Sequence, residues 1–284
     1  GWTAEQMAFA LREDAFLFVK LGNLKPRCER LEYRAPDQRT LEREGEMARL
    51  VKAELPDGVG PTREPLFSFV EELSRPPKAG AKAAPGPSRF QPRYCYSYFA
   101  LYGDPLLEPD LDPYPDGYLA RLAACGVDGV WLQGMLSRLA PFAWDPRQSD
   151  RYEARLENLR RLVGRARRHG VGVYLYLNEP RSLPLSFFAR RPELRGVTES
   201  DYATLCTSIP AVRDYLTAAM ATICRAVPDL AGFFTISGSE NLTNCWSHGG
   251  GTGCPRCGQR RPSEVIAELH AALHAGIRLA GGRQ

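Results

Sequence analysis

From about residue 90 onward, two hydrophobic periods alternate along the chain. RYCYSYFALY (93–102), VDGVWLQGM (127–135), VGVYLYLNEP (171–180) and LAGFFTIS (230–237) are short, near-continuously apolar or aromatic runs. Such runs read as strands covered on both faces. Between and after them the apolar positions recur at helical spacing in 116–126, 150–169, 209–227 and 262–281. Gly126 and Gly170 close the first two of these helices, as glycine does where the chain must turn left-handed past a helix end.

Strand and helix follow one another at roughly 40-residue spacing, the rhythm of parallel βα units. Four strong units are present, where a closed barrel of this kind needs eight. The pattern therefore predicts an α/β, (β/α) TIM-barrel-like fold that is incomplete in this chain, occupying residues 90–284.

The first part of the chain has a different rhythm. TAEQMAFALRED reads as a helix opened by Thr3, AFLFVKLG (15–22) as a strand and PLFSFVEELS (65–74) as a short helix. RTLEREGEMARLVKAEL (39–55) reads as an amphipathic helix with Leu41, Met47, Leu50 and Val51 on one side. Residues 1–75 are expected to form a small N-terminal α+β region. RPPKAGAKAAPGPS, rich in Pro, Ala, Gly and Lys, sets a linker at 76–89.

Charge narrows the partners. A net charge of +4, with basic and acidic residues interspersed, gives no basic stripe for nucleic acid. The densest basic run, RRLVGRARRH, has the spacing of a solvated helix face. No apolar run approaches the ~18 residues of a membrane span, and no signal peptide is visible, so a cytoplasmic protein without membrane or nucleic-acid partners is expected. The eight cysteines lack the regular framework of a small secreted disulfide protein, which agrees with a reducing compartment. Oligomeric state is not legible.

Candidate chemistry collects where parallel α/β folds place it, at the C-terminal strand ends. Those ends carry Tyr98, Tyr102 and Asp104; Gln133; Asn178, Glu179 and Arg181; and Glu240, Asn241 and Asn244. Aromatic rings stack on sugar rings, amides and carboxylates bind hydroxyl pairs, and two carboxylates flanking an acetal are the usual machinery of glycoside hydrolysis. Asn241-Leu-Thr243 matches a glycosylation sequon but reads as pocket chemistry at this place.

Cys245, His248, Cys254 and Cys257 follow at C-x2-H-x5-C-x2-C spacing. Four such ligands can close around one structural zinc ion. His248 is the weakest member of the set, and Cys206 is the alternative fourth ligand.

PDGYLARLAACGVDGVWLQG, GVGVYLYLNEPRSLP, LCTSIPAVRDYL and GFFTISGSENLTN together resemble a glycoside-hydrolase TIM barrel. The likeness is to the hexosaminidase-like and α-glucuronidase-like group, which includes members with a Cys-rich loop after the fourth strand, and it covers about residues 90–284. The resemblance implies cleavage of a glycosidic bond in an oligosaccharide or glycan, with Glu240 at the position of the acid/base glutamate. In hexosaminidases an Asp precedes that residue; Ser239 stands there in this chain, so acetamide-assisted catalysis is not implied. Asn178-Glu179-Pro180 resembles the N-E-P signature of another barrel-glycosidase clan, which makes Glu179 the second catalytic candidate. There the signature lies on the fourth strand, here on the third. Tyr98, Tyr102, Asp104, Gln133, Asn178, Arg181, Asn241 and Asn244 form the expected carbohydrate-binding set. The alternative expectation is a non-catalytic glycan-binding barrel with a structural zinc loop.

Overall fold

The computed structural model describes residues 3–5, 35–55, 71, 75, 89–97, 100, 103–108 and 111–281. The chain divides into two compact units, Gly1–Pro65 and Leu66–Gln284. In the first, one helix, α1, spans Gln38–Glu54. Asp37 caps it by accepting the Thr40 amide at 2.8 Å, which satisfies one of the unpaired donors of the first turn. Leu41, Met47, Leu50 and Val51 are all exposed. The apolar stripe legible in the sequence is present, but it buries nothing. The expected strand at 15–22 lies outside the described residues, as do nearly all of the helices at 3–14 and 65–74 and of the linker.

The second unit is built on four parallel strands: β1 (Tyr94–Cys95), β2 (Gly129–Gly134), β3 (Gly172–Leu177) and β7 (Gly232–Thr235). They lie side by side in chain order. Gly129 pairs with Gly172 and Leu177 with Thr235. Helices α2 (Asp116–Ala124), α4 (Tyr152–Arg167) and α6 (Pro210–Ala226) make the crossovers, single turns α3 (Leu136–Leu139) and α5 (Leu185–Phe188) lie between them, and α7 (Pro262–Leu279) follows the last strand. Gly126 and Gly170 both adopt positive φ, 83° and 71°, as their place after a helix requires.

The two faces of this sheet differ because side chains alternate along a strand. Val130, Leu132, Val173, Leu175 and Leu177 point one way and are fully buried. They share a core with Leu119 of α2, Leu159 and Val163 of α4, Leu216 and Met220 of α6 and Leu269 of α7. Gly276 sits where an added Cβ would run into the Thr217 carbonyl and Met220, so α6 and α7 pack at close range. The opposite face is aromatic. Trp131 contacts Tyr96 at 4.6 Å, Tyr176 at 5.3 Å and Phe234 at 5.5 Å between ring centroids, and Tyr94 stacks on Phe234 at 5.6 Å. Tyr94 and Tyr96 remain exposed.

The structure departs from the sequence reading in two places. The first strand is two residues long rather than running over 93–102. Its chain leaves the sheet at Ser97, whose amide donates to the buried Tyr114 hydroxyl at 3.2 Å, while that hydroxyl bonds the Trp131 carbonyl. Between β3 and α6 stands a second, antiparallel sheet of β4 (Leu183–Pro184), β5 (Arg195–Glu199) and β6 (Tyr202–Leu205). A single helical turn at Leu185–Phe188 and a 3-10 turn at Pro192–Leu194 lie between β4 and β5.

Candidate functional site

The chain past β3 and the chain past β7 meet in one polar network. Asn178, fully buried, donates from Nδ2 to the Ile236 carbonyl at 3.2 Å and accepts at Oδ1 from Asn241 Nδ2 at 3.4 Å. Arg181 Nη1 donates to Asn241 Oδ1 at 2.7 Å. Ser182 donates its amide to the Leu242 carbonyl at 3.1 Å. Three residues named from sequence, Asn178, Arg181 and Asn241, are thus brought together, and both ends of the Asn241 amide are occupied.

Glu179 is 5% exposed, and its two oxygens are committed. Oε1 accepts the Leu136 amide at 2.8 Å and Oε2 the Arg181 amide at 3.1 Å. Charge-assisted bonds of this kind favour the carboxylate by about 1.5–3 kcal/mol each. Burial opposes them with a penalty of several kcal/mol. Burial wins and pushes the carboxyl up to about 7, against the Leu136 amide, the Arg181 amide and the Arg181 charge. A carboxylate this enclosed and doubly bonded fastens the end of β3 to the chain leaving β2. Glu179, expected as the second catalytic carboxylate, thus sits enclosed between two backbone amides.

Glu240 is its opposite. It is exposed on the loop that leaves β7, and among the described residues no hydrogen bond or ion pair holds its carboxylate. The loop itself is well held. Thr243 Oγ1 and Asn244 Nδ2 both donate to the Ser237 carbonyl, at 3.1 and 2.7 Å, and Asn244 Oδ1 accepts the Trp246 amide at 2.9 Å. Asn244, expected in the carbohydrate-binding set, is fully buried with both ends of its amide bonded within the loop. His248 clamps the same loop from outside: Nδ1 lies 2.8 Å from Glu199 Oε2 and Nε2 2.6 Å from the Ser239 carbonyl. Both ring nitrogens face acceptors, so the imidazolium suits the position, and the Glu199 carboxylate raises its pKa.

Asp104 and Gln133 lie beside the end of β2. Asp104 is paired with Arg155 at 2.9 Å. With Arg138, Arg147 and Glu108 it lines an open cleft of about 620 Å³. Gln133 lines a smaller adjoining cavity of about 70 Å³. Met135 borders both, one residue from the amide that Glu179 holds. Tyr98 and Tyr102 lie outside the described residues.

Behind the Glu240 loop stands a group of four buried thiols: Cys206, Cys245, Cys254 and Cys257. Their sulfurs all lie within 4.8 Å of one another, with Cys206 to Cys257 at 3.6 Å and Cys206 to Cys254 at 3.7 Å, and none is bonded in a disulfide. His248 is not a member; Cys206, arriving from β6, takes the fourth place. Thr204 Oγ1 reaches Cys245 Sγ at 3.4 Å and Ser208 Oγ reaches Cys257 Sγ at 3.2 Å. An added Cβ at Gly196 of β5 would collide with Thr204 and Cys245, so only glycine lets the sulfur approach. Val197, Ile209, Trp246 and Val265 complete the wall. Hydrogen bonds from Cys206, then Cys245, draw the Cys257 thiol far below its usual range.

No protein-family profile matches the chain, and no curated protein matches it. Among solved structures, it is similar to a GH5_18 protein from Bifidobacterium longum subsp. longum at 19% identity and a TM-score of 0.34, over 63% of this chain and 38% of that one. A GH138 enzyme targeting pectin rhamnogalacturonan II gives 13% identity and 0.37, over 71% and 21%. A chitobiase from Flavobacterium johnsoniae gives 12% identity and 0.38, over 64% and 30%. The chain spans between about a fifth and two fifths of the length of these structures.

Proposed function

We propose that this chain is a glycosidase-like (β/α) unit in which Glu240 serves as general acid/base on a glycosidic bond. The observation that carries the reading is the contrast at the strand ends. Asn178, Glu179, Asn244 and Asp104 are spent on the protein's own bonds, and Glu240 stands unengaged on a loop fixed from three sides. A carboxyl group left free on a rigid support can reach a glycosidic oxygen in a fixed geometry. The sheet's chain-order parallel strands, with helices on one face, suit a partial (β/α) fold whose strand ends carry the site. Arg181 and the cleft residue Gln133 are the groups for sugar hydroxyls. Glu179 acts through the backbone it holds. The sequence resemblance over 90–284 points to the same chemistry.

The test is hydrolysis of a panel of aryl glycosides by the full chain, compared with Glu240→Gln. A loss of about 10²–10⁴-fold with folding intact is expected; an active Glu240→Gln protein overturns the assignment. A second reading, a glycan-binding barrel without catalysis, is favoured by the enclosure of Glu179, which leaves Glu240 without a carboxylate partner from that strand. Oligosaccharide binding by a chain that hydrolyses none of the panel would establish it.

A further inference from the structure

The thiol group plays no part in the chemistry proposed for Glu240, yet it is the densest set of ligand atoms among the described residues. We propose that Cys206, Cys245, Cys254 and Cys257 hold one structural zinc ion as a closed tetrahedral tetrathiolate. A zinc–sulfur bond of about 2.3 Å makes the edge of such a tetrahedron about 3.8 Å. The Cys206 sulfur lies 3.6 and 3.7 Å from those of Cys257 and Cys254. A disulfide needs about 2.05 Å, and no pair is joined.

The surroundings suit a thiolate centre. Hydroxyls of Thr204 and Ser208 stand at sulfur, and Ser208 Oγ is held by Arg260 Nη1 at 2.9 Å, the guanidinium being fixed in turn by Glu268 at 2.6 and 3.0 Å. Four thiolates around a dication leave two net negative charges, which such donors offset. The Cys254-Pro-Arg-Cys257 turn is closed by the Gly258 amide donating to the Cys254 carbonyl at 2.8 Å, so two ligands are set in place by the backbone. Each thiol still protonated releases its proton to solvent as its sulfur–zinc bond forms. With four protein ligands no position stays open, so the ion fastens structure and performs no hydrolysis. It joins β6 of the inserted sheet to the connection between β7 and α7. His248 is excluded because its ring nitrogens already face Glu199 and Ser239.

The experiment uses the full chain purified without metal-affinity resin. Elemental analysis is expected to find about one zinc per chain. Cobalt(II) exchanged into the protein is expected to give the visible bands of a tetrahedral four-thiolate site. Cys206→Ser should lower zinc retention at least about tenfold, and His248→Ala should keep the ion. Wild-type protein that holds neither zinc nor cobalt overturns the proposal, as does iron in the site. Loss of the ion from His248→Ala with retention in Cys206→Ser also overturns it. Should Cys206→Ser fail to fold, the wild-type cobalt spectrum still decides, because three thiolates plus an imidazole absorb differently from four thiolates.

Discussion

The strand-end network and the thiol group share one stretch of chain, from Ser237 to Cys257, and are held in opposite ways. The network is bonded largely within itself: amides, carbonyls and a buried carboxylate meet each other at hydrogen-bond distance, and Arg181 Nε is a buried donor left without a partner. The thiol group gathers four weak donors that offer one another little. In a region that closes most of its own bonds, Glu240 is the carboxylate left without a partner among the described residues. A region that cannot close them needs something from outside. The same loop thus carries the exposed Glu240 carboxylate towards one end and buried thiols towards the other.

The largest expected effect breaks the anchoring end. Cys257→Ser, or a strong chelator, should lower the unfolding free energy by about 5 kcal/mol or more, because metal binding is folding free energy in such sites. Denaturant unfolding with and without chelator measures it, and an unchanged midpoint would make the two regions alike in needing nothing. Next in size, Glu240→Gln should leave stability within about 0.5 kcal/mol while removing about 3–5 kcal/mol of transition-state stabilisation. Paired melting and rate measurements on the one variant separate the two quantities.

The third sharpens the role of Glu179. Its folded pKa, about 7, lies above its ordinary 4.5, so the folded state holds the proton more tightly than the unfolded chain. Its contribution is complete below pH 4.5 and is lost as pH rises towards 7, by up to roughly 3 kcal/mol. Glu179→Gln should flatten that slope between about pH 4.5 and 7; a slope kept by the variant would assign the dependence elsewhere. The smallest effect belongs to His248. Its raised pKa makes the clamp on Glu199 complete below its ordinary 6.5 and weaker as pH climbs through the raised value. The pair is partly exposed, so His248→Ala should cost about 1 kcal/mol or less, visible at pH 6 and absent at pH 9.

The parallel framework was legible because each of its signals is local. Apolar runs, 3.6-residue periodicity and glycines after helix ends place β2, β3, β7, α2, α4, α6 and α7 within a few residues of their observed bounds. The antiparallel insertion was not legible, because RGVTE carries no apolar alternation and its strand exists through pairing with Leu205 and Tyr202. The same limit applies at the site. Cys254 and Cys257 announce themselves by spacing, whereas Cys206 joins them only through the turn of β6, and spacing alone favours the nearer His248. Asn178-Glu179 reads as reactive in one dimension. Its enclosure comes from the Leu136 amide, 43 residues earlier in the chain.

The chain-order sheet also sets a timetable for synthesis. Each parallel strand finds its neighbour already made, so the wall can grow unit by unit as the polypeptide emerges from the ribosome. The thiols cannot assemble that way: Cys206 must wait for Cys257, 51 residues later. Until then the Cys206 sulfhydryl, just past β6, stands without its three partners, so the inserted sheet is tied to the chain beyond β7 only after the last of the four has left the ribosome.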